Sequence, residues 1–173
     1  RPYPHNLIHL IYDKFKSTDH KEVLLRHLQE QNKKYSTKKI IILSDLDDTL
    51  WSGPFDPHYG YGKLYSCARL VYTQSDLKVF ITARPEVFRS HTKETISLKI
   101  DPFFSLHTAP IRASIRGYFD KKIIAMWKAQ MIKKYIDVFP EAKILWLGDS
   151  SQGDALSGLT LLQRKENNNL TQV

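Results

Sequence analysis

Three short apolar runs in this chain each give way to side chains suited to handling a phosphate. Ile40-Ile41-Ile42-Leu43 runs into Ser44-Asp45-Leu46-Asp47-Asp48-Thr49, Lys78-Val79-Phe80-Ile81 ends at Thr82, and Lys143-Ile144-Leu145-Trp146-Leu147 ends at Gly148-Asp149-Ser150. Asp154 follows shortly after. Carboxylates in such a set can bind a hard cation or move protons, and hydroxyls with adjacent N–H groups can hold an anion. Read singly, each cluster has a plainer explanation: Asp-x-Asp also caps helices or binds calcium, and Thr82 ahead of Pro85 also suits a helix N-cap.

Lys128 stands apart from its many basic neighbours. It lies one helical turn after Ile124 and one before Ile132, with Ile136 continuing the row, whereas Lys133 and Lys134 point elsewhere. A lysine on that inward stripe is costly to bury without an anion. The competing reading is a side chain snorkelling at the stripe's edge.

These residues need a scaffold, and the periodicity supplies one. The three β-branched runs read as strands buried on both faces, with Phe103–His107 a weaker candidate. Helical spacing marks Pro4–Phe15, His20–Gln31, Lys63–Tyr72, Pro85–Leu98 and Lys121–Phe139, with a further helix starting near Gly153. Strands alternating with helices imply right-handed crossovers and a parallel sheet covered on both faces. Ligands of such sheets bind at the carboxyl ends of the strands, where the clusters above fall. Residues 1–38 read as helices packing on the core, 39–164 as the main domain, and 165–173 (KENNNLTQV) as a polar, disordered tail that leaves a last edge strand unaccounted for.

Composition narrows the field. At 173 residues the chain suffices for one domain with a proper core. No window is apolar enough to cross a bilayer, and no convincing amphipathic membrane anchor is evident. The first residue is Arg1 rather than Met, so what precedes it is left open. Cys67 is the one cysteine, which excludes an internal disulfide and argues for a reducing compartment, cytosolic in the simplest case. Its apolar surroundings read as core, and no glycine-rich phosphate loop follows it, so catalytic-cysteine chemistry is not expected. The net charge of +8, with lysine doublets at 33–34, 38–39, 121–122 and 133–134, favours anionic partners or simply solvated helix faces.

The ordered set Asp45-Leu46-Asp47-Asp48-Thr49, Thr82, Lys128 and Gly148-Asp149-Ser150…Asp154 resembles the haloacid dehalogenase (HAD) superfamily over most of Ile40–Leu162. The resemblance implies a Rossmann-like α/β fold and a magnesium-dependent phosphatase. Asp45 is then the nucleophile that forms an aspartyl-phosphate, and Asp47 the acid and base. Thr82, Ala83, Arg84 and Lys128 hold the phosphoryl group. Mg²⁺ rests on Asp45, the carbonyl of Asp47 and Asp149, with Asp154 assisting. Asp48, often Gly in that superfamily, receives no catalytic role and caps the following turn.

The same resemblance bears on substrate. Asp48 to Thr82 and Thr82 to Lys128 leave no room for a substantial cap domain, as in relatives that act on macromolecules or other bulky phosphomonoesters. The aromatic stretch after the nucleophile, with Trp51, Phe55, His58, Tyr59, Tyr61 and Tyr65, is similar in character to a flap that clasps a phosphoaryl group, or else one that pins itself to the core. Capless phosphoprotein phosphatases acting on phosphotyrosine are therefore the leading resemblance, with Trp51 and Tyr59 the expected substrate contacts. Lys128–Asp154, together with Ser44–Thr49, is similar to actin-patch-type phosphatidate phosphatases, which points instead to an acidic lipid. A nucleic-acid end-phosphatase fits the charge, but no nucleic-acid-binding motif accompanies it. An inactive phosphate-binding module is the reading from outside enzymology.

Overall fold

The computed structural model describes residues 7–34, 39–53, 60, 62–100, 102–150, 153–162 and 170–172. Its centre is a parallel sheet of five strands: β1 (Ile40–Ser44), β2 (Leu77–Pro85), β3 (Ser105–Ala109), β4 (Lys143–Leu147) and β5 (Leu170–Gln172), in the order β3-β2-β1-β4-β5. The central strand β1 is flanked by β2 and β4, with Ser44 level with Phe80 and Leu147. The two central clusters of the sequence thus leave the sheet side by side.

The alternation of side chains in each strand feeds two cores. Ile41, Leu43, Val79, Ile81 and Ile144 face α6 (Lys121–Val138) and the N-terminal helical segments, including buried Ile8 and Ile11. Ile42, Phe80 and Leu106 face Trp51, Tyr72 and Ile96, on the side of α3 (Ala68–Thr73) and α4 (Arg89–Lys99). Helices therefore cover both faces. Among the described residues no helix is long and apolar enough to cross a membrane.

Several boundaries differ from expectation. The N-terminal segment is a short α1 (Leu7–His9) running into a π-helical stretch, Leu10–Lys14, before α2 (Thr18–Lys34). Residues 63–67 do not join α3, because Leu64 bridges to Trp51 and Lys63 exchanges hydrogen bonds with Ser52. Cys67, read as core, is consequently exposed. β2 carries its extended backbone through Pro85, so α4 starts only at Arg89 after a 3-10 turn, Glu86–Phe88. Part of the expected disordered tail is strand β5, which pairs with Ile144–Trp146 and supplies the last edge.

One helix was not foreseen. Pro110 leads into α5 (Ile111–Phe119), whose inward residues are small and show no apolar period. Gly117 lets it approach α6, since a Cβ there would stand 2.1 Å from Ile124 Cγ1. α5 is amphipathic with its apolar side exposed.

Candidate active site

Asp45 leaves β1 with its N–H donated to Leu147 O of β4 at 2.9 Å. The chain then turns sharply at Asp48, whose positive φ of 59° is tolerated by aspartate better than by most residues. The Asp48 carboxylate accepts from Gly53 N–H at 2.7 Å and its own N–H donates to Trp51 O at 2.8 Å. Asp48 is thus a turn-holding residue.

The centre of the site is a buried lysine between two buried carboxylates. Lys128 Nζ lies 2.9 Å from Asp45 Oδ1 and also donates to Asp154 Oδ1. Lys128 and Asp154 are fully buried, and Asp45 is 1% exposed. Burial pulls an ammonium down, but the charges of Asp45 and Asp154 outweigh it and leave Lys128 raised. Burial lifts the Asp45 carboxyl to about 8, against the lowering effect of Lys128. It lifts Asp154 as well, again opposed by Lys128, and the charge of Asp149 adds to the rise. Gly148 makes the arrangement possible: a Cβ there would meet Asp154 Cβ at 2.5 Å.

Thr82, near the end of β2, is buried, and its Oγ1 accepts from Arg84 N–H at 3.2 Å rather than capping a helix. Arg84 reaches Asp47 with both arms of its fork, Nε to Oδ2 at 2.8 Å and Nη2 to Oδ1 at 2.5 Å. Such a bidentate pair fixes orientation as well as charge. Trp51 donates its indole N–H to Asp47 Oδ1 at 3.0 Å, with the Arg84 guanidinium 5.3 Å from its ring centre. These thirty-seven residues of separation between Asp47 and Arg84 hid the pair from sequence reasoning. Trp51 itself is buried in the core, so it offers no open face for a phosphoaryl ring and acts instead on Asp47. Tyr59, with Phe55, His58 and Tyr61, lies outside the described residues. Ala83 follows Thr82 half-buried, and its carbonyl accepts from Ser114 of α5 at 2.8 Å. Asp149 is half-buried just beyond β4.

The structure thus joins Asp45, Lys128 and Asp154 in one cluster and Asp47, Arg84 and Trp51 in a second. The pairing of Lys128 with Asp154 had no forecast, because only the metal had been assigned to that carboxylate. Whether a cation suits the first cluster can be judged from its own atoms. Apart from the ion pair with Lys128, Asp45 Oδ2 and Asp154 Oδ2 are buried without a hydrogen-bond partner among the described residues, as is Thr49 Oγ1. One ammonium faces two carboxylates, so a proton or a second cation completes neutrality. Hard oxygens with unused lone pairs fit Mg²⁺, although among the described residues no three His, Cys, Asp or Glu side chains converge as ligands.

No protein-family model, no curated protein and no solved structure matches the chain. Fold and geometry define it as a parallel α/β protein, Rossmann-like in layering, with a buried charge cluster at the strand ends.

Proposed function

We propose that the chain is a phosphomonoester hydrolase of HAD type that works through Asp45. The observation that carries this reading is the fully buried Lys128 held against Asp45 at the carboxyl end of a parallel sheet. Such an ammonium is positioned to stabilise the charge that develops on a phosphoryl oxygen. In this mechanism the Asp45 carboxylate forms a bond to phosphorus as the ester P–O bond breaks. Asp47 supplies the proton to the departing oxygen, then removes one from the water that cleaves the aspartyl-phosphate. Thr82 and Lys128 hold phosphoryl oxygens, and Arg84 turns from Asp47 to the phosphoryl group, which frees the Asp47 carboxyl to act. Because Asp45 is sealed from solvent at rest, binding requires the surrounding loops to part. Mg²⁺ on Asp45, the Asp47 carbonyl and Asp149, with retained waters and Asp154 in support, would neutralise substrate charge.

A bulky substrate suits this reading, since the segments separating the motifs are short. The phosphotyrosine preference rested largely on aromatic stacking, and burial of Trp51 removes one of its two named contacts. A lipid phosphomonoester gains ground from the exposed apolar helix α5, tied to Ala83 beside the site. A reducing, cytosolic setting accords with the single cysteine.

Asp45→Asn tests the chemistry. Turnover of an aryl phosphate with Mg²⁺ should fall at least about a thousandfold, with the circular dichroism spectrum intact because Lys128 retains Asp154. Mg²⁺ should raise the wild-type melting temperature by mass action, and less so that of the variant. Undiminished turnover by Asp45→Asn would remove Asp45 from the mechanism.

A further inference from the structure

Helix α5 is built inside out. Its inward side consists of Ala113, Ser114 and Gly117, all small, while Ile111, Ile115, Tyr118 and Phe119 are 51%, 58%, 86% and 84% exposed. At 100° per residue these four fall on one continuous arc, and Arg112 and Arg116 form the arc beside it. Gly117 and the Ser114 hydrogen bond to Ala83 lock this orientation in place. A helix that could have turned its isoleucines inward is instead held with them in solvent.

We propose that α5 docks the protein on an anionic lipid bilayer. Apolar and aromatic side chains flanked by arginines are what an interfacial helix presents to the headgroup boundary. Helix α5 contains no acidic residue, and the exposed Lys121 and Lys122 begin the next helix. Positive charge adjoining an apolar arc complements acidic headgroups. A second copy fits less well, because α5 contains no acidic residue to pair with the Arg112–Arg116 row of the other copy. Exposed Val87 and Phe88 follow the carboxyl end of β2, and α5 follows that of β3, so both lie at the end of the sheet that carries Asp45. Docking there turns the candidate site towards the membrane. The inference stands on α5 alone and does not require the phosphatase reading.

Flotation of the whole chain with vesicles tests it. Binding is expected to vesicles of phosphatidylcholine and phosphatidylserine in equal parts, and much less to phosphatidylcholine alone. Ile115→Asp with Phe119→Asp should lower binding at least tenfold, while melting temperature and aryl phosphate turnover stay at wild-type values. Arg112→Gln with Arg116→Gln should lower it by about an order of magnitude and weaken its salt dependence. Tyr118→Trp should show a blue-shifted emission on adding the acidic vesicles. The proposal is overturned if the wild type floats with neither vesicle, if the aspartate pair binds as well as wild type, or if the wild type forms dimers that the aspartate pair dissolves. A protein that floats but hydrolyses nothing would sink only the phosphatase reading.

Discussion

Helices α5 and α6 pack against each other and depart from the amphipathic pattern in opposite directions. α6 follows the pattern along Ile124, Ile132, Tyr135 and Ile136 and then buries a charge, Lys128, in the same row. α5 buries a glycine and presents two isoleucines, a tyrosine and a phenylalanine to solvent. In α6 the departure is offset inside the molecule, because Asp45 and Asp154 close on the ammonium. In α5 nothing among the described residues offsets it, and the membrane proposed above would supply the complement. A buried charge with partners locates chemistry, whereas an exposed apolar row without them locates an interface.

The strongest way to break this contrast is to remove the internal offset. Lys128→Met keeps much of the side-chain volume but leaves two carboxylates facing each other in the core. Stability should fall by about 3–5 kcal/mol, the range for breaking one side of a buried pair. Aryl phosphate turnover should drop by at least about a hundredfold, as when one donor to the developing charge is lost. Urea titration and kinetics read the two effects separately. Because burial already favours the protonated form of both acids, the destabilisation should shrink as the pH is lowered. Equal stability of variant and wild type would mean that the lysine could be replaced by any apolar residue.

The sheet edge beyond α6 gives the next effect. His107 on β3 meets Tyr135 OH of α6 at 2.8 Å, lining a cleft of about 630 Å³ with Arg89, Lys134, His9 and Asp13. Burial first, and then the charges of Arg89 and Lys134, lower its imidazole to about 4, with Asp13 opposing. A folded value below the ordinary 6.5 means that the unfolded chain takes up the proton first. The stability contributed is therefore complete above about pH 6.5 and is lost as the pH falls towards 4, by up to about 3 kcal/mol. Asp45, raised to about 8, titrates with the opposite sign, so whole-protein melting mixes the two. His107→Gln retains a partner for Tyr135 and cannot charge. Its stability relative to wild type should rise steadily between pH 6.5 and 4, and a constant difference would contradict the shift.

How legible all this was from sequence follows the same contrast. The strands of β1, β2 and β4 were plain because buried strands of a parallel sheet read as unbroken β-branched runs. Lys128 was legible because it interrupts an apolar row at the spacing of one helical turn. Helix α5 was missed although Ile111, Ile115, Tyr118 and Phe119 recur at helical spacing, and nothing in that spacing shows that the apolar arc faces solvent rather than core. Strand β5 hid in a polar tail because a short edge strand depends on its neighbour β4 rather than on its own composition. The burial of Trp51 escaped because aromatic residues suit a flap and a core equally. The Asp47–Arg84 pair was beyond reach, as only the fold brings the turn after β1 against the end of β2.

The smallest effects compare the two sides of α5 itself. At Gly117, alanine gains about 1 kcal/mol of helix propensity, but its Cβ would fall 2.1 Å from Ile124 Cγ1 on buried α6. Overpacking of that kind costs about 1–3 kcal/mol, so Gly117→Ala should be destabilising by a net 1 kcal/mol or so. Adding Ile124→Ala should give a pair less destabilised than the sum of its parts, because the contact that conflicts is gone. On the opposite face, Ile115→Asp should alter stability by no more than about 0.5 kcal/mol, since the side chain has little to lose on leaving solvent-exposed surroundings. Denaturant midpoints for the three variants, read beside vesicle binding, separate the roles: the inward face should move stability without a direct effect on docking, and the outward face the reverse. If Ile115→Asp unfolds the chain, the isoleucine is covered by protein in solution and the outside of α5 is not an interface at all.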